Sequence, residues 1–139
     1  MNAPDFLDAN IVFYAYDPAD PKKQRIARDL LRRALAGELV WSSQVLVEIA
    51  VTLLHKLPSP ADTIAVLALL DAFAPVRVVS QDASLIRRAV EAREKYDIHF
   101  CGGLIVAAAE RAGCAHILSE DFTPGQSYFG VMAQNPFRS

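Results

Sequence analysis

Alternation limits what this chain can fold into more than any other feature of its sequence. Short β-forming runs trade places with helical stretches of roughly 12–17 residues along the whole length. "DFLDA" runs into "NIVFYAYD" and then the helical "PKKQRIARDLLRRALAG". "ELVW" is followed by "SSQVLVEIAVTLLHK" and "PSPADTIAVLALLDAFA", "VRVV" by "SQDASLIRRAVEAREKY" and "HFCGGLIVAAAERAG", and then comes "AHILS". Such a pattern builds βαβ units, whose mostly parallel sheet is covered by helices on both faces. The predicted fold is a single three-layer α/β/α domain over residues 1–139, with "YFGVMA" as a last short edge strand.

Local signals agree with that pattern. In "PKKQRIARDLLRRALAG", Ile26, Ala27, Leu30, Leu31, Ala34 and Leu35 recur at three- and four-residue spacing and form one apolar face. Pro21 opens this helix and Gly37 follows its end; Ser42 and Ser43 stand where a cap is needed, and Gly113 closes the later helix. No apolar run approaches the ~18 residues of a membrane span, and "MNAPDFLDAN" lacks a charged leader region. A soluble, cytoplasmic chain is expected. Cys101 and Cys114 fall near opposite ends of one helix. That puts them roughly 20 Å apart, against a bridging ceiling of about 7 Å, so no disulfide joins them.

Chemistry in open α/β sheets gathers beyond the carboxyl ends of the strands. Asp8, after "FL", and Asp121, after "HILSE", fall there, although each alone also reads as a turn former or cap. Glu48 lies on a helix apolar over most of its circumference, in a narrow polar strip with Gln44, Thr52 and His55. That strip either faces solvent or lines a cleft. Three carboxylates without matching cations repel one another, and burial raises their pKa values. A hard divalent cation such as Mg²⁺ resolves this, because it takes oxygen ligands and keeps several waters.

With those residues in place, "FLDANIVFYAYD", "WSSQVLVEIAV" and "ILSEDFTPGQSYFGVMAQNPF" resemble the PIN domain, specifically the VapC-like toxins of bacterial toxin–antitoxin modules. The resemblance runs in order through nearly the whole chain. It implies an α/β/α metal-dependent endoribonuclease with four acids around Mg²⁺ or Mn²⁺. Asp8 matches the first acid, with Asn10 in support; Glu48 matches the second and Asp121 the last, and Ser43 falls near a polar residue that assists. Glu120 reads as peripheral.

The third acid is missing. "FCGGLIV" sets Cys101 and Gly102 where the family has Trp-Asp, so Gly102 occupies the carboxylate's slot. The replacement is unfavourable for the helix, since Gly costs ~1 kcal/mol against Ala there, as well as for a metal. The chain is therefore expected to be an impaired nuclease, with a PIN-fold module that binds RNA or antitoxin without cutting as the alternative. Asp97 and His99 lie nearby, but neither is expected to fill the gap; His99 and His116 read as ordinary loop and strand-start residues. Gly102 is either native to a degenerate domain or a substitution that spares an expression host.

The net charge of −2 does not attract polyanions in bulk. A local patch could: Lys22, Lys23, Arg25, Arg28, Arg32 and Arg33 lie off the apolar stripe of one helix, with Asp29 opposing, and are the candidate RNA contacts. Arg87 and Arg88 form a smaller patch. The resemblance also implies a homodimer and a cognate antitoxin. A receiver-like signalling domain is disfavoured, because "FLDAN" has a lone Asp and "HILSEDF" has no Lys.

Overall fold

The computed structural model describes residues 3–138. Strand β1 (Asp5–Leu7) leads into helix α1 (Ala9–Tyr14), and α2 (Pro21–Leu35) follows from an Asp20 cap that accepts from Lys23 N–H. Next come β2 (Leu39–Ser42), α3 (Ser43–Val51), α4 (Thr63–Ala72) and β3 (Arg77–Val79). Helices α5 (Ala83–Tyr96) and α6 (Phe100–Arg111) precede β4 (His116–Leu118). The chain closes with β5 (Ser127–Tyr128) and β6 (Val131–Gln134).

The six strands lie in the order β3-β2-β1-β4-β6-β5, giving the predicted three-layer architecture. All neighbouring pairs are parallel except β5 with β6. Central β1 and β2 are nearly continuous apolar runs, as strands covered on both faces require. Phe6, Leu7, Leu39, Val40, Trp41 and Ile117 are each at most 1% exposed. Strands β1, β2 and β3 each hand over at the carboxyl end to a capped helix: Asp8 caps α1, Ser42 caps α3 and Asp82 caps α5. That brings Asp8 to the edge where strands β1 and β4 both end.

Two boundaries depart from the sequence reading. "YFGVMA" is a hairpin rather than one edge strand: Phe129 and Gly130 both have positive φ, 50° and 83°, as a two-residue turn matching strand twist requires. The edge falls to β5, and β6 pairs with β4 in the interior. Phe-Gly is not a turn signature a sequence announces. The long "SSQVLVEIAVTLLHK" helix widens to π geometry over Thr52–Lys56, so His55 leaves the line of Gln44 and Glu48. Cys101 is exposed and Cys114 buried, and both thiols are free.

Candidate functional site

Beyond the carboxyl ends of β1 and β4 lies a hollow of about 410 Å³ lined by Asp8, Glu48, Asp121, His99, Cys101 and Gly102, with Ile98, Ile105 and Phe122 as apolar wall. Residues separated by up to 114 positions thus share one space.

Asp8 is 5% exposed and fully hydrogen-bonded. Its Oδ1 accepts the N–H of Ala9 at 2.7 Å, and its Oδ2 accepts the hydroxyl of Ser119 at 2.7 Å. Ser119 is the hub that sequence reasoning missed. Its Oγ also accepts from Asn10 Nδ2 at 3.3 Å and from the N–H of Asp121 at 3.0 Å. A small hydroxyl directly after "HIL", on a strand end mirroring that of Asp8, was the available signal. Asn10 therefore supports Asp8 through Ser119.

Glu48 is half-buried, and its Oε1 accepts from Gln44 Nε2 at 3.0 Å; the same nitrogen reaches the carbonyl of Cys101 at 3.3 Å. Gln44 thus ties α3 to the first turn of α6, beside Gly102. Ser43 sits elsewhere: its Oγ accepts the N–H of Gln81 at 3.2 Å and does not line the hollow. From the first position of α3, its side chain faces the β3–α5 loop.

The electrostatics are those of crowded acids, relieved at Glu48 by Lys56. Burial pushes the Asp8 carboxyl up from 3.8 to about 6, with Glu48 and Asp121 adding to the rise and the bonds from Ser119 and Ala9 opposing it. Burial likewise raises Glu48, with Asp121 adding and Gln44 and Lys56 opposing.

The two glycines of α6 differ. A Cβ on Gly103 would lie 2.3 Å from the Ala89 carbonyl oxygen, so only glycine lets α6 approach α5 so closely. A Cβ on Gly102 would meet only Ile98 and Phe122 side-chain atoms, at 3.7 Å, an ordinary contact. Nothing in the packing demands glycine at 102.

The donor set fits a hydrated divalent cation. All three acids offer hard oxygens, and the buried Asn10 Oδ1 and Gln44 Oε1 have no donor among the described residues, a demand that coordinated water can meet. Among the described residues, no three His, Cys, Asp or Glu side chains are close enough to grip a bare ion.

The basic helix is largely engaged within the protein. Lys23 Nζ bonds Glu120 at 2.9 Å and lies over the rings of Tyr14 and Phe137, because α2 starts beside the β4–β5 loop. Arg28 Nε donates to the Ala15 carbonyl, Arg32 pairs with Asp29, and Arg33 with Glu38. Lys22 and Arg25 have no partner among the described residues. Arg88 is likewise held, by Glu110 and Glu91. His116 Nδ1 meets Asp5 Oδ1 at 2.9 Å, at the opposite end of the sheet.

The PIN domain family model matches residues 6–123. The chain belongs to the PIN domain family. Three solved structures resemble this PIN domain in fold. One is a toxin–antitoxin complex from Klebsiella pneumoniae: TM-score 0.70, 16% identity, 97% of this chain and 98% of that one covered. A second is FitAcB from Neisseria gonorrhoeae: TM-score 0.67, 18% identity, coverage 97% and 99%. The third is Mycobacterium tuberculosis VapC20, a toxin that cleaves the sarcin–ricin loop: TM-score 0.64, 19% identity, coverage 84% and 91%. No curated protein matches the chain by sequence. No helix among the described residues is long and apolar enough to cross a membrane.

Proposed function

We propose that this PIN domain is the toxin of a toxin–antitoxin pair, a metal-dependent endoribonuclease of the cytoplasm whose cutting is blunted by Gly102. The observation that carries the reading is the shared hollow: three acids brought together from three parts of the chain, bordered by the one residue that lacks a side chain. Asp8 and Asp121 would hold Mg²⁺ or Mn²⁺. When bound, such an ion offsets phosphodiester charge and lowers the pKa of a coordinated water. Ser119 fixes Asp8 and the Asp121 backbone in one frame. Gln44 holds one oxygen of Glu48 and leaves the other to orient water. Lys22 and Arg25 remain for backbone phosphates of RNA. A homodimer and a cognate antitoxin belong to the same reading; the toxin–antitoxin complex and the toxin among the fold neighbours support the toxin part of it at the level of fold.

The lack of three metal-ligating side chains close enough to hold an ion, among the described residues, favours a second reading, a module that binds RNA or antitoxin without cleavage. Cleavage of a total RNA pool in Mn²⁺, by the native chain and by Gly102→Asp, separates the two. The nuclease reading expects strong gain in the variant and its loss in Gly102→Asp/Asp8→Asn. Absence of any cut by Gly102→Asp favours the binding module.

A further inference from the structure

The hollow's polar lining is nearly all acceptor. The carboxylates of Asp8, Glu48 and Asp121 can take hydrogen bonds but repel an arriving phosphate. His99 is the exception, and its ring is held in a defined way. As the cap of α6, its Nδ1 accepts the N–H of Cys101 at 3.0 Å. In the neutral ring one nitrogen accepts and the other carries the proton. The proton therefore sits on Nε2, the nitrogen left for a ligand, in a residue that lines the hollow. The sequence reading placed His99 as an ordinary loop residue; the fold brings it to the lining of the hollow that holds Asp8.

We propose that His99 is a substrate-contacting residue, whose Nε2–H donates to a phosphate oxygen of RNA seated over the three acids. The role rests on the nuclease reading above and assigns the donor that the acids cannot supply. The cap is what makes it specific: the bond from Cys101 fixes both tautomer and ring plane, so the donor is oriented before RNA arrives. The amino end of α6, a helix of 12 residues, adds its dipole in the same sense.

The cap and the donor can be separated. His99→Asn keeps a favoured capping residue but removes the distal donor. A fluorescein-labelled, mixed-sequence single-stranded RNA 12-mer in Mn²⁺ is the probe, read by anisotropy on the full chain, with thermal melting in parallel. The expected result is an unchanged melting temperature and RNA affinity lowered about tenfold or more, the scale of one hydrogen bond to a charged group. Long-range ¹⁵N–¹H spectra should show the His99 proton on Nε2, shifting on addition of RNA. Equal RNA affinity in native and His99→Asn chains overturns the role, as does a proton found on Nδ1. Mn²⁺ titration of Gly102→Asp keeps the two readings apart: a variant that binds Mn²⁺ while His99→Asn binds RNA normally sinks only the His99 role. One that binds no Mn²⁺ sinks the metal-dependent reading and this role with it.

Discussion

The hollow has two walls built on different principles. On the β1/β4 side, Asp8, Asn10, Ser119 and Asp121 are locked by four hydrogen bonds around one carboxylate and one hydroxyl. Asp8 and Ser119 are buried there, and Asp8 would be costly to place without Ser119 and the Ala9 N–H to receive it. On the α6 side, close packing sets the wall, helped by the bond from Gln44 to the Cys101 carbonyl and by the His99 cap. Gly103 lets the helix lie against Ala89, while Gly102, one residue earlier, leaves an opening beside Ile98 and Phe122. A wall made of polar bonds carries its function with it. A wall made of close packing sets the space in which a function acts.

Filling the open wall should have the largest effect. Gly102→Asp is expected to tighten Mn²⁺ binding by ~30–1000-fold, about 2–4 kcal/mol of charge interaction after desolvation. Isothermal titration of both chains measures it, and equal affinities would mean that the opening is not a ligand position.

The polar wall has its own signature in pH. The folded Asp8 carboxyl holds its proton up to about 6, against 3.8 when unfolded. Its favourable contribution is therefore complete below pH 3.8 and is lost as pH rises through about 6, a difference of ~3 kcal/mol. Asp8→Asn should remove this slope. In urea melts without divalent ions, its stability relative to the native chain should improve by ~1 kcal/mol more at pH 7.5 than at pH 5. A constant offset between the two chains would deny that Asp8 is the group responsible.

The packed wall is tested by the paired alanines. Gly103→Ala should lose ~1–3 kcal/mol through overpacking against Ala89. Gly102→Ala should gain up to ~1 kcal/mol of helix propensity. Thermal melts report both signs, and equal losses would erase the distinction between the glycines.

The smallest effect concerns the two thiols on α6 and just beyond it. Burial pushes Cys114 up to about 12, whereas Cys101 is exposed at the hollow's rim. A thiol reagent at pH 8 should modify Cys101 quickly and Cys114 only on unfolding, with bound RNA slowing the first reaction.

Periodicity and residue type were enough to place the helices and most strands, because 3.6- and 2-residue repeats are written locally. Asp8 and Asp121 were legible as acids after strands, and Glu48 as a polar break in an apolar helix. The hub at Ser119 was not, since an isolated Ser carries no sign of its partners.

Three outcomes were left to the tertiary structure. Lys23 reads as a free cation until α2 begins beside Glu120, 97 residues away, where a carboxylate and two aromatic rings take it. His99 reads as a loop residue until its ring caps α6 at the mouth of the hollow. The adjacent glycines read alike until Ala89 comes within 2.3 Å of one Cβ position and leaves the other open. The sequence by itself determined the α/β class and the parallel sheet. Which groups meet across a hundred residues is decided by packing, because contact between distant segments depends on their shared burial and not on any local pattern.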